Sequence, residues 1–81
     1  MISGVQIRAA RHALRWTVSE LAQAANLSVS SIKRVEVSDD VPTISARSLA
    51  AIKAVLEAAG IEFIGTPDDG PGIRIHARPG K

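Results

Sequence analysis

Hydrophobic residues recur at intervals of three and four positions along two stretches of this 81-residue chain. In the first stretch they are Ile7, Ala10 and Leu14, and in the second they are Leu49, Ile52, Leu56 and Ala59. This spacing is typical of amphipathic helices that bury one face, because about 3.6 residues complete a helical turn. Both stretches are therefore predicted to be helices that share a core.

Polar residues mark the places where helices begin. At four positions a Ser or Thr has an apolar residue just before it and another apolar residue four positions after it. This is the arrangement of an N-cap with its hydrophobic staple, and it is found at Ser3, Thr17, Ser28 and Ser45. Gln6 and Glu20 follow the first two caps by three positions and predict capping boxes. With Gly60 as a left-handed helix end, these signals predict helices over about residues 4–14, 18–24, 29–37 and 46–59.

Beyond these helices the pattern changes to the alternation that is typical of strands. Two alternating segments, Ile-Glu-Phe-Ile and Gly-Ile-Arg-Ile-His-Ala, flank a turn-rich GTPDDGPG segment and predict a β-hairpin. We expect Phe63 to lie opposite Ile73, and that register places Glu62 across from Arg74 on the polar face. The apolar face then carries four large side chains, Ile61, Phe63, Ile73 and Ile75.

The predicted fold class is mainly α, with four helices over residues 1–60 and a β-hairpin with a loose tail over residues 61–81. The chain length allows one small domain, so the hairpin is expected to belong to the same domain as the helices. A composition of 46% hydrophobic and 22% charged residues is ordinary for a globular protein.

Composition also excludes several function classes. The absence of Cys removes disulfides, thiolate metal sites and thiol nucleophiles. No apolar run approaches the roughly 18 residues of a membrane span, and the first residues lack a signal-peptide core, so a cytoplasmic protein is expected. The pairs Asp39/Asp40 and Asp68/Asp69 are interpreted as turn residues. No catalytic activity and no cofactor are predicted, since no nucleophile is paired with a base. No metal site is predicted either, because the two His have no further metal ligand at a suitable spacing.

Charge is distributed unevenly along the chain. The net charge is +3 over residues 1–36, −4 over residues 37–71 and +3 over residues 72–81, for a total of +2. This asymmetry is compatible with a polyanion bound on one face and equally with an ordinary solvated surface.

The strongest functional signal lies between Val18 and Glu36, where a tight turn separates two short helices. The small Ala22 allows the helices to cross closely, and Asn26 suits the positive φ that such a turn requires. Apolar residues are expected to pin the second helix across the first: Leu21, Ala25, Leu27, Ile32 and Val35. The side chains left exposed form a strip that suits a DNA major groove about 12 Å wide: Val29, Ser30, Lys33 and Arg34.

The stretch IRAARHALRWTVSELAQAANLSVSSIKRVE resembles the phage-repressor and Cro-like helix-turn-helix family, often called XRE, and the resemblance extends over about residues 5–60. It implies a sequence-specific transcriptional regulator, a repressor or a Cro-like switch, that inserts its third helix into the major groove of an operator. The base-reading positions of the family match Val29, Ser30 and Arg34, and Ser31 and Lys33 beside them are included as predicted base-reading residues. The phosphate-contacting positions match Arg11, Thr17, Val18 and Ser28.

The same resemblance implies an ion pair between Arg11 and Glu36 that also presents the Arg towards a phosphate. Two positions depart from the family pattern. Val18 stands where a Gln commonly supports the first reading residue, which weakens any prediction of the operator sequence. Asn26 replaces the usual Gly, which should be tolerated because Asn adopts positive φ readily.

An isolated two-stranded hairpin is marginal in water, so it needs a packing partner. Pairing with a second copy through Ile61, Phe63, Ile73 and Ile75 predicts a homodimer. Two-fold symmetry would place the recognition helices about 34 Å apart, one duplex turn, and match a pseudo-palindromic operator. The alternative is a hairpin folded back on its own fourth helix.

A second class of function also stays open at this point. An antitoxin or antiactivator would use the same helical scaffold to bind a protein partner. The low net charge of +2 and the apolar Val29 are compatible with that hypothesis.

Overall fold

The computed structural model describes residues 2–38 and 41–76, which form four helices followed by an antiparallel hairpin. The elements are α1 Gly4–Ala13, α2 Val18–Ala25, α3 Val29–Glu36, α4 Ala46–Ala58, β1 Ile61–Thr66 and β2 Asp69–Ile75. The predicted fold class is confirmed, and every helix ends within one residue of its expected position. The predicted loose tail at residues 78–81 and the Asp39/Asp40 turn lie outside the described residues.

All four predicted N-caps are present. Each cap oxygen accepts a hydrogen bond from the backbone N–H three residues later, and the four caps are Ser3, Thr17, Ser28 and Ser45. Ser3 with Gln6 and Thr17 with Glu20 form the two predicted capping boxes. These bonds satisfy N–H groups that have no partner inside the helix, which is why the helices begin where they do.

The helices share one hydrophobic core. Every helix and the first strand contribute side chains that are buried almost completely: Ile7 and Ala10 from α1, Leu21 from α2, Ile32 and Val35 from α3, Ile52 and Leu56 from α4, and Ile61 from β1. The stripes predicted from the three-and-four spacing therefore do face a common interior. Leu14, Leu49 and Ala59, at the edges of those stripes, are half-buried.

The hairpin has the predicted register and packs on its own chain. Phe63 lies opposite Ile73 and Glu62 lies opposite Arg74. The sheet contacts both α1 and α4. The side-chain amide of Gln6 on α1 also donates to the carbonyl oxygens of Ile64, 3.0 Å away, and of Gly72, 2.9 Å away.

This packing covers part of the apolar surface that was predicted to form a dimer. Ile61 is only 2% exposed because the core of its own chain covers it, so it is removed from that surface. Phe63 and Ile73 are half-buried against the same core, whereas Ile75 is 62% exposed. The hairpin finds the support it needs within the chain, and the argument for a dimer from its marginal stability no longer applies.

Candidate nucleic-acid interface

The turn between α2 and α3 has the backbone geometry that the sequence predicted. Asn26 ends α2 in the left-handed region with φ 58° and ψ 45°. The Leu27 N–H donates to the Ala22 carbonyl oxygen over 2.8 Å, so the chain folds back across the last turn of α2. Ala22 is buried, as a close helix contact at this position requires. The two helices thus form a helix–turn–helix unit with a three-residue connection.

Helix α3 has one buried face and one exposed face. Ile32 and Val35 are completely buried and anchor it to the core. The exposed side chains are Val29, Ser30, Lys33 and Arg34. At 100° per residue these four fall within an arc of about 140° on one side of the helix. All but one of the predicted base-reading residues therefore share one accessible surface, which we call the α3 strip.

The remaining predicted reading residue, Ser31, lies at the margin of the α3 strip. Its side chain is half-buried. Its backbone N–H donates to the Ser28 hydroxyl oxygen over 3.1 Å, and the Ser28 hydroxyl donates to its Oγ over 2.9 Å. Ser28 and Ser31 therefore use part of their hydrogen-bonding capacity on each other at the helix start, and their predicted contacts with DNA stay predictions.

Arg11 and Glu36 form the predicted ion pair between α1 and the end of α3. Nε of Arg11 lies 2.7 Å from Oε2 of Glu36, and Nη2 lies 2.9 Å from Oε1, so the pair is joined at two points. The two side chains are only 11% and 8% exposed. The hydrogen bond to Glu36 raises the pKa of Arg11, partly opposed by burial of the guanidinium. The pair acts as a clamp that holds the C-terminal end of α3 against α1.

The clamp leaves Arg11 little capacity for a phosphate. A guanidinium has five N–H donors. Besides the two bonds to Glu36, Nη1 donates to the Trp16 carbonyl oxygen over 2.8 Å and Nη2 lies 3.2 Å from Nε2 of His12. Four of the five donors thus face partners within the protein, and the geometry favours the structural role of Arg11.

Two further residues of α1 hold α3 in place, and the sequence did not single them out. Arg8 donates from Nη1 to the Glu36 carbonyl oxygen, which is one of the acceptors left open at the end of α3. Gly4 touches the same end of the helix, because a Cβ built there would collide with the carbonyl oxygens of Val35 and Ser38. Nothing in a single sequence distinguishes this Gly or this Arg from an ordinary helix residue, since both roles depend on contacts across more than 25 positions.

The start of α2 presents donors to solvent beside the turn. Thr17 is exposed and Val18 is half-buried. The capping box engages the N–H groups of Thr17 and Glu20, over 2.7 Å and 3.0 Å. The N–H groups of Val18 and Ser19 have no acceptor among the described residues. Unpaired donors at a helix start attract anions, so the predicted phosphate contact at Val18 is feasible through its backbone.

Neither a metal-binding group of residues nor a membrane-spanning helix is present in the part of the chain that the structure describes. Residues 2–38 and 41–76 contain no group of three His, Cys, Asp or Glu residues that could hold a metal ion. Asp68 and Asp69 are exposed at the hairpin turn. Over the same ranges no helix combines the length and the apolar character that crossing a membrane would need.

The candidate interface thus consists of the α3 strip, the open N–H groups at the start of α2 and the clamp behind them. Neither the protein-family models nor the curated proteins include a match to this sequence. A role for this interface is therefore argued from its geometry and its charge.

Proposed function

We propose that this chain is a sequence-specific DNA-binding transcriptional regulator, a repressor or a Cro-like switch, that inserts α3 into the major groove. The observation that carries the proposal is the two-faced character of α3. Its inner face is fixed by two fully buried side chains and by the Arg11–Glu36 clamp, while Val29, on its outer face, is 37% exposed beside two exposed cations, Lys33 and Arg34. A rigid helix with an accessible polar and cationic face suits major-groove recognition.

Each residue of the α3 strip brings a distinct chemistry to a base pair. The Arg34 guanidinium suits a two-point bond to O6 and N7 of guanine, a contact worth about 1–3 kcal/mol of discrimination. Val29 suits a thymine methyl group, and the Ser30 hydroxyl suits either a donor or an acceptor. Lys33 adds a mobile positive charge that can reach a base edge or a phosphate.

Phosphate contacts would set the register of the protein on the duplex. We assign them to the open N–H groups of Val18 and Ser19 and to the exposed hydroxyl of Thr17. Arg11 supports them indirectly, because its clamp fixes α3 and its bond to the Trp16 carbonyl fixes the chain just before α2. A cytoplasmic location belongs to the same proposal.

The proposal includes a homodimer on a pseudo-palindromic operator. Its support is Ile75, 62% exposed near the end of β2, in a two-stranded sheet whose outer edges carry no further strand among the described residues. Large exposed apolar residues and open strand edges favour pairing with a second copy. Sedimentation at micromolar concentration should show a species of twice 8.5 kDa that Ile75→Lys converts to a monomer. A single 8.5 kDa species of the unaltered chain would overturn the dimer.

Selection of bound duplexes from a random pool tests the main proposal. We expect one enriched half-site, repeated with a spacing near one duplex turn if the protein is a dimer. Affinity for the selected duplex should fall steeply with salt, by a slope of about −0.9 per neutralised phosphate. Arg47→Ala is a matched control, since it removes an exposed cation from α4 and should leave the half-site unchanged. Recovery of no enriched sequence, with no salt-dependent binding, would reject the proposal.

One observation favours the second candidate, an antitoxin or antiactivator that binds a protein. Val37, directly after α3, is 77% exposed and follows Val29 by two helical turns. Two exposed valines, at the start of α3 and directly after its end, offer apolar surface to a protein partner. DNA phosphates would make no use of that surface. Replacing Val37 by Ser should leave duplex affinity unchanged if α3 enters a groove through the α3 strip. If the surface binds a protein instead, the same replacement should weaken the affinity for that protein.

A further inference from the structure

The corner between α1 and α2 contains a residue in an unfavourable backbone conformation. Arg15 adopts φ 59°, in the left-handed region, where Gly and Asn are the residues normally found. The other non-Gly residue with positive φ among the described residues is Asn26, which is a suitable type. A Gly would satisfy the backbone of this corner at lower cost. The Arg side chain is therefore present for a reason other than the turn.

That side chain has no polar partner among the described residues. Arg15 is exposed and forms no ion pair or side-chain hydrogen bond among the described residues. Glu36 is already paired with Arg11, and Glu20 uses its carboxylate to accept from the Thr17 N–H in the capping box. Arg15 is consequently an exposed cation without an ion-pair partner among the described residues.

The corner that carries Arg15 is rigidly connected to α3. The Arg15 N–H donates to the His12 carbonyl and the Trp16 N–H to the Arg11 carbonyl, both over 3.0 Å. The Arg11 guanidinium then joins the Trp16 carbonyl to Glu36. Arg15 also precedes the N-cap Thr17 by two residues, so their Cα atoms are at most ~7.6 Å apart. The backbone of Arg15 is thus held close to the start of α2.

From these relationships we infer that Arg15 is a phosphate-contacting residue of the DNA interface, adjacent to the start of α2. This inference rests on the proposed function. A guanidinium offers two parallel N–H donors to a phosphate, and its charge displaces a counterion from the duplex. The backbone strain is retained because it presents this charge at the edge of the interface, and Arg15 thereby takes a phosphate role for which the clamp leaves Arg11 little capacity.

The test compares Arg15→Gly, Arg15→Lys and the unaltered chain on the duplex recovered by selection. Arg15→Gly removes the strain and the charge together, so its Tm should equal or exceed that of the unaltered chain while its affinity falls. Loss of one phosphate contact should reduce the salt slope by about 0.9, or about eightfold in affinity between 1 M and 0.1 M salt. Arg15→Lys keeps the charge and should retain most of the slope.

Asn26→Gly is the matched control, because it also places Gly at a left-handed position but removes no charge. It should leave affinity and salt slope unchanged. An unaltered affinity and slope for Arg15→Gly, on a duplex that the unaltered chain binds, would overturn the role of Arg15 alone. Failure of the unaltered chain to bind any duplex would reject the proposed function and this inference with it.

Discussion

The side-chain amide of Gln6 on α1 donates a hydrogen bond to the carbonyl oxygen of Gly72 on β2, across 66 positions of sequence. Its second N–H donates to Ile64 on the other strand, and its oxygen accepts from the Ser3 N–H. Gln6 is buried, and both of its amide N–H groups have partners, as is usual for buried polar groups. One polar side chain thus closes a helix cap and fixes the hairpin to the helices.

Replacing Gln6 by Met tests this connection. Met has a similar length but removes the donors to the two strand carbonyls and the acceptor of the Ser3 N–H, at about 1–3 kcal/mol for each group left buried without another partner. Urea unfolding should show the loss in free energy. The matched control is Gln23→Met on the exposed face of α2, which should change the free energy of unfolding by less than about 0.5 kcal/mol. Equal stability of the two variants would contradict the role of Gln6.

The Arg11–Glu36 clamp should be strongly coupled in stability. Removing one partner, as in Glu36→Ala, leaves a largely buried charge unpaired and should cost about 3–5 kcal/mol. A double-mutant cycle with Arg11→Met measures the coupling directly. The exposed Arg74–Glu62 pair, 59% and 44% exposed, is the comparison and should show a much weaker coupling. Coupling of similar size in both pairs would show that burial is not what strengthens the clamp.

Arg34→Ala should relax the preference for one base of the half-site, because the two-point bond to guanine is lost at that position alone. The expected loss of discrimination there is about 1–3 kcal/mol. Arg34→Lys should fail to restore it, since an ammonium lacks the planar pair of donors. Repeating the duplex selection with each variant gives the measurement. A base preference that survives in Arg34→Ala would remove Arg34 from the reading residues.

Acid should reveal the interactions of Glu62. Its hydrogen bond with His76, and then the charge of Arg74, lower the pKa of this carboxyl below the ordinary value of 4.5. A lowered pKa in the folded state contributes stability that is present above pH 4.5 and lost as the pH falls through the folded-state value. Tm should therefore decrease more steeply with acid in the unaltered chain than in Glu62→Gln. Parallel Tm profiles below pH 4.5 would contradict this.

Local rules were sufficient for the helices and for the hairpin register. The N-caps depend on bonds that span three residues, the buried stripes on the helical period, and the Phe63–Ile73 pairing on alternation along two neighbouring segments. Such information lies within short windows of the chain. The α3 strip follows from the same rules, because the positions of Ile32 and Val35 determine which face turns inward.

Contacts between segments that are far apart in the sequence were decided only by the tertiary structure. Whether the hairpin packs on α1 and α4 depends on the buried position of Ile61 and on the Gln6 bonds, neither of which leaves a local pattern. The sequence suggested one Arg for both clamp and phosphate, yet in the fold the partners of Arg11 occupy four of its donors while Arg15 stays exposed. A sequence pattern records the type of a side chain. How many of its hydrogen bonds are already used is a property of three-dimensional packing.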